Sequence, residues 1–288
     1  MTLFREAFFE LAQFVGYFLS IGAIGFRYGV VRSNRRFSDE ARGILEADRA
    51  AVLGIIGILL LFVSFLGGPW AASIAEHKTY AESLPKNIGQ FQLRMAMLAL
   101  ALIGFLTARV SRGFGWLFAA IGLLIAVLMP LYTARGLAGR VNAVHILAAS
   151  TWLGTLLVLF IVGIRGVVRA GPPGIPRAQL VADLVSSFSP LALTAASVVA
   201  LTGATTAWLH LKRLSSLWTT SYGAALIVKL VFVLGVVIMG AWNWKRVRPE
   251  LGESGSEQTI RRSAKMELLF GSLVLLATAV LVSLPSPK

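Results

Sequence analysis

The sequence has no cysteine, which excludes disulfides, CxxC redox chemistry and thiolate metal sites together. Histidine is scarce too: it occurs only at His77, His145 and His210, so a metal would have to be held by those rings, by methionine thioethers or by oxygen. Charge is thin, with 14% of residues charged and 13 acidic residues against 27 lysines and arginines. No HExxH helix, phosphate-binding glycine loop or paired catalytic carboxylates occur, and His145 has no acidic partner evident nearby in sequence. An enzyme is not expected.

What remains is apolar. Hydrophobic residues make up 57% of the chain and the mean hydropathy is +0.77, more than one aqueous core can bury. A spanning helix needs roughly 20 apolar residues, and eight stretches qualify, near 8–29, 50–73, 91–110, 115–134, 141–164, 186–210, 222–244 and 263–285. Unbroken runs such as Gly54 to Val63 lack the alternation of barrel strands. The expected fold is all-α, a polytopic membrane protein with eight transmembrane helices. Gln13 to Gly22 in span 1 and His145 to Gly154 in span 5 have the same separation, in AQFVGYFLSIG and VHILAASTWLG. This suggests two four-helix halves of like orientation, 1–140 and 141–288, related by an axis along the membrane normal.

The basic residues report orientation. The linkers after spans 1, 3, 5 and 7, taken from Arg27 onward, hold 17 of them. The termini and the other linkers hold 9. By the positive-inside rule the richer linkers face the cytoplasm and both termini face out. The net charge of +14 is then a topology signal aided by anionic lipid, and nucleic acid is not a partner. The first span, where Arg5 is offset by Glu6 and Glu10, reads as retained and not as a cleaved signal. RAGPPGIPRAQ after span 5 reads as a loop, and LKRLSSLWTTS as an interfacial segment.

This topology brings all three histidines toward the outer face. His145 shares a helical face with Ala148, Ala149 and Trp152, and small residues let helices approach closely. His210 continues the face of Gly203, Thr206 and Ala207 on span 6. The two imidazoles are therefore expected to meet near the outer leaflet, with Asn142 positioned to orient the His145 ring. Met95, Met97 and Met129 sit toward the same face, each also suited to ordinary packing. Imidazole with thioether and no thiolate suits copper better than magnesium or calcium. Lys229, about two turns inside span 7, either snorkels outward or pairs within the bundle. His77, in HKTYAESLPK, reads as solvated. Most tryptophans fall near span ends, whereas Trp152 is deep enough to line a cavity.

The stretch FSPLALTAASVVALTGATTAWLHLKRLSSLWTTSYGAALIVKLVFVLGVVIMGAWNWKRVRPEL resembles the CopD copper-resistance family. It carries an LTG-to-W segment, then Tyr222, Gly223, Leu226 and Lys229 in a YG-x-x-L-x-x-K segment, and a polar exit at Asn243 and Arg248. HILAASTWLGTL, with His145, Trp152 and Gly154, resembles the His-to-WLG helix of the same proteins. The likeness covers residues 141–285. It implies a multi-pass protein of the bacterial inner membrane that handles copper at the periplasmic face, which makes the outward side read from the cations, and so both termini, periplasmic. Its partners would be lipid, a copper ion or a periplasmic copper-binding protein. One departure stands out: first helices of such proteins often carry a histidine where the internal alignment gives Gln13.

Three functional classes follow. Copper transport would use His145 and His210 with Met95, Met97 or Met129. A b-type haem electron-transfer subunit would use the two histidines as axial ligands. A non-catalytic structural subunit of a larger membrane complex would use its small-residue and tryptophan-rich faces to contact other membrane subunits. Polar steps toward the cytoplasm are few, at Asp183, Thr194 and Asn243.

Overall fold

A computed structural model of the chain describes residues 2–33, 49–108, 110–111, 113–165, 177–211, 213, 215–242, 245 and 256–283. Among these residues there is no strand, and eight helices are long and apolar enough to cross a membrane: α1 (Ala7–Val31), α2 (Arg49–Glu76), α3 (Ile88–Thr107), α4 (Phe114–Thr133), α5 (Leu137–Ile164), α6 (Ala178–Leu211), α7 (Ser221–Trp242) and α8 (Lys265–Val282). The chain is a multi-pass membrane protein. The cations of 34–48, most of the Pro/Gly-rich linker after α5, Asn243, Trp244 and Arg248 lie outside the described residues.

Each sequence-predicted span is found, and several run further than expected, α1 and α6 with consequences for the core. The end of α1 passes into a π-helical segment, Phe26–Val31, carried by apolar residues that pack into the core. Arg27, placed by sequence in the first linker, is therefore inside the helix and 2% exposed. Its guanidinium lies 4.9 Å from the centre of the Trp116 ring on α4, a cation–π contact that offsets part of the burial. The second long helix is α6, at 34 residues. Its first turns bury Leu180, Val181 and Leu184 among Phe26, Val30 and Ile164.

Glycine sets how the helices meet. A Cβ on Gly57 of α2 would lie 2.6 Å from the Gly16 carbonyl oxygen of α1, so the two backbones touch. Phe9 against Gly67, and Gln13 against Ser64, continue the same antiparallel register. Crossing of α1 and α5 occurs at Gly22 and Gly154, where a Cβ on Gly22 would overlap the Gly154 backbone and one on Gly154 would overlap that of Phe18. These glycines are the two that the sequence aligned with each other. Gly163 faces Leu184 and His145 faces Thr202, which fixes α5 and α6 as antiparallel.

Burial is uneven. The middle of the molecule is α1 with α2, α4 and α5, and its core runs from Tyr17 and Ile21 through Leu61, Phe105, Trp116 and Leu159. By contrast α6 and α7 leave Leu193, Leu201, Val231, Leu234 and Val237 exposed, the expected dress of helices facing lipid. Between α2 and α3, a short helix Tyr80–Ser83 is capped by Thr79 and Glu82 reciprocally. The Thr79 N–H and hydroxyl donate to the Glu82 carboxylate and hold its pKa below the usual range.

Candidate metal-handling site

Irregularity concentrates on α5. Two π-helical segments, Ser150–Gly154 and Leu159–Ile164, interrupt it, and each re-aims the side chains that follow. Just before the first of them, His145 is partly buried and directed at α6. Its Nδ1 lies 3.0 Å from the Thr202 hydroxyl. Gly203 makes room for the ring, since a Cβ there would sit 3.2 Å from His145 Cε1.

The hydrogen bonds determine which ring nitrogen carries the proton. Thr202 has one O–H to give, and it donates to the Val198 carbonyl at 2.6 Å. The hydroxyl oxygen must then accept from His145 Nδ1–H, which leaves the Nε2 lone pair available. His210 is set the same way: its Nδ1 lies 2.8 Å from the Thr206 carbonyl, which can only accept. The His210 ring also stacks on Tyr222 of α7, centroids 6.1 Å apart and planes 14° from parallel. Both imidazoles therefore hold their Nδ1 proton against α6 and present Nε2, the tautomer a metal ligand needs.

The two rings are anchored on α6 at different levels. His145 is level with Thr202, and His210 reaches back to Thr206 on the same helix, a separation of one to two turns, roughly 6–12 Å. Two ligands of one metal ion sit about 4 Å apart or less, given metal–nitrogen bonds of about 2.0–2.1 Å. Among the described residues no group of three or more histidines and carboxylates is close enough to hold a metal. Nothing in this arrangement favours the haem alternative.

The other candidates fall in different places. Lys229 is partly buried on α7. Asn142 is exposed, and it is Thr202 that meets the His145 ring. Met95 and Met97 pack against the central core, and Met129 is 6% exposed where α4 turns. Trp152 is partly buried where α5 meets the α1 and α8 side chains Phe18 and Phe270. His77 is exposed, at positive φ in the loop after α2.

Sequence reading missed a set of buried hydroxyls. Ser150 and Thr155 of α5 are fully buried with no hydrogen-bond partner, and Ser20 of α1 is buried with its hydroxyl donating to the Gly16 carbonyl at 2.7 Å. Together with Arg27 they place polar groups along α1 and α5 deeper than His145.

Residues 182–281, from α6 to α8, match the family model described as Copper resistance protein D. The chain is CopD-like. It is 28% identical over 261 residues to the copper transport protein CutJ of Bacillus subtilis (strain 168), an alignment covering 85% of this chain and 46% of CutJ. The CopD-like chain thus spans about half the length of that curated relative. No solved structure matches it. The matched CopD region contains Thr202, His210, Tyr222 and Lys229.

Proposed function

We propose that this CopD-like protein transports copper across the bacterial inner membrane, taking the ion at the periplasmic face, with both termini on that side. The observation that carries the reading is the His145 ring, directed between α5 and α6 with Nδ1 tied to Thr202 and Nε2 left to coordinate. Imidazole nitrogen is a ligand for copper, and a partly buried, pre-oriented ring needs little reorganisation to bind. His210, in the same tautomer one to two turns along α6, is the neighbouring station. Copper is the cargo, passed from one Nε2 to the next. The likeness to a protein named for copper transport supports the choice of metal. Below His145, the Ser150 and Thr155 hydroxyls offer the polar steps that the sequence lacked.

Metal analysis of detergent-purified protein tests this. The wild type is expected to retain copper and His145→Ala to fall to background. Equal copper in the two would remove His145 from the site.

A further inference from the structure

One cation of α7 lies on the face that this helix turns to the protein. Tyr222, Leu226 and Val236 are buried and Lys229 partly so, while Val228, Leu230 and Val231 beside it are exposed. Steps of four, three and seven residues keep Tyr222, Leu226, Lys229 and Val236 on one helical stripe.

Both ends of that stripe are pinned. At one end the Tyr222 ring stacks on His210 of α6, and Ala207 of α6 packs with Tyr222 and Leu226, so the two helices run antiparallel. At the other end Val236 shares a cluster with Phe18 of α1 and with Ala149, Trp152 and Leu153 of α5. Each contact gives a register. Lys229 is seven residues from Tyr222, roughly 10 Å of helix, and Thr202, which meets the His145 ring, is eight residues from His210, roughly 12 Å. Counted from the other end, Lys229 is seven residues from Val236, and His145 is eight from Leu153 on α5. The two counts agree, and both bring Lys229 to the depth of His145.

No carboxylate of these helices stands at that depth. Within the spans α5 to α8 the acids are Asp183 and Glu267. Asp183 is nineteen residues from Thr202, roughly 28 Å along α6, and Glu267 faces Gly240, eleven residues or roughly 16 Å along α7 from Lys229. Glu10 of α1 lines the space between α1, α2 and α3 instead. An ammonium is costly at membrane depth and is kept there turned to the protein interior. Beside a metal-holding imidazole it repels an incoming ion in proportion to that ion's charge, so a divalent ion meets twice the opposition of a monovalent one. A repulsive element of this kind gives specificity that the ligands alone do not.

We propose that Lys229 is a specificity-determining residue of the His145 site, admitting Cu(I) and disfavouring divalent cations such as Zn(II). The inference rests on the copper reading above and adds to it the charge of the ion carried.

Detergent-purified full chain is titrated with Cu(I) under ascorbate and, separately, with Zn(II), each in competition with a chromogenic chelator. The imidazole ligands are the same in wild type and in the Lys229 variants, so their intrinsic preference between the two metals cancels. Lys229→Met is expected to shift the preference toward Zn(II) by about tenfold or more. Lys229→Arg, which keeps the charge, should leave it as in the wild type. An unchanged preference in Lys229→Met, or an equal shift in Lys229→Arg, overturns the assignment and leaves copper on His145. His145→Ala is measured beside them: Cu(I) binding equal to that of the wild type would sink the copper reading and this inference with it. Should Lys229→Met fail to elute as a folded species, Lys229→Gln is judged by the same two outcomes.

Discussion

At the scale of single residues, the informative feature is how the His145 proton is fixed. A threonine that spends its hydroxyl proton on the Val198 carbonyl can only accept from the ring. Thr202→Val keeps the shape and removes the acceptor. Loss of such a partner typically weakens metal affinity 10–100-fold, so copper affinity of Thr202→Val, measured by competition with a chromogenic chelator, should fall by about that factor while the fold is retained. His145 was legible in the sequence because a titratable group inside an apolar run is conspicuous. Thr202 was not, since threonines bonded to the preceding turn are common along α6, Thr194 and Thr206 among them, and nothing local marks the one facing a ring on another helix. Lys229 was legible as an anomaly, but its direction came only from the packing of α7.

At the scale of elements, the decisive contact is the crossing of α1 and α5. The equal spacing of Gln13 to Gly22 and His145 to Gly154 was readable, yet likeness between two segments does not say that they touch. Gly22 and Gly154 are that contact, and neither helix has room for a Cβ there. Gly154→Leu should therefore force α1 and α5 apart, a destabilisation of at least about 1–3 kcal/mol by the usual scale of overpacking, seen as a lower midpoint in a thermal melt of the detergent-purified protein. Gly68 of α2 is the control. Beyond its chain neighbours a Cβ there meets nothing within 4 Å, so Gly68→Ala should leave the midpoint nearly unchanged, alanine's helix preference being opposed by the crowding of its Cβ against the Pro69 ring. The π-helical segments of α5 were not legible, because the sequence STWLG has the same apolar character in either helix form.

At the scale of the whole molecule, the eight spans were plain in the sequence because the bilayer sets their length. Their ends were less so: α1 continues through Arg27 and α6 begins near 178 instead of 186. The proposed orientation rests on the cation asymmetry, and the absence of cysteine makes it simple to test. Ala81→Cys lies in the loop between α2 and α3, and Gly113→Cys between α3 and α4. In intact bacteria an impermeant maleimide should label the first and spare the second until the membrane is broken; the reverse pattern would invert the topology.

The length of α6 has a mechanical meaning. Its lower end is clamped among Phe26, Val30 and Ile164, Pro190 interrupts its backbone ladder, and its upper part is largely bare of protein neighbours. From Pro190 to His210 is roughly 30 Å at 1.5 Å per residue. Such a rod is a lever with its fulcrum at the proline: a swing of about ten degrees would sweep its tip, and His210 with it, by about 5 Å.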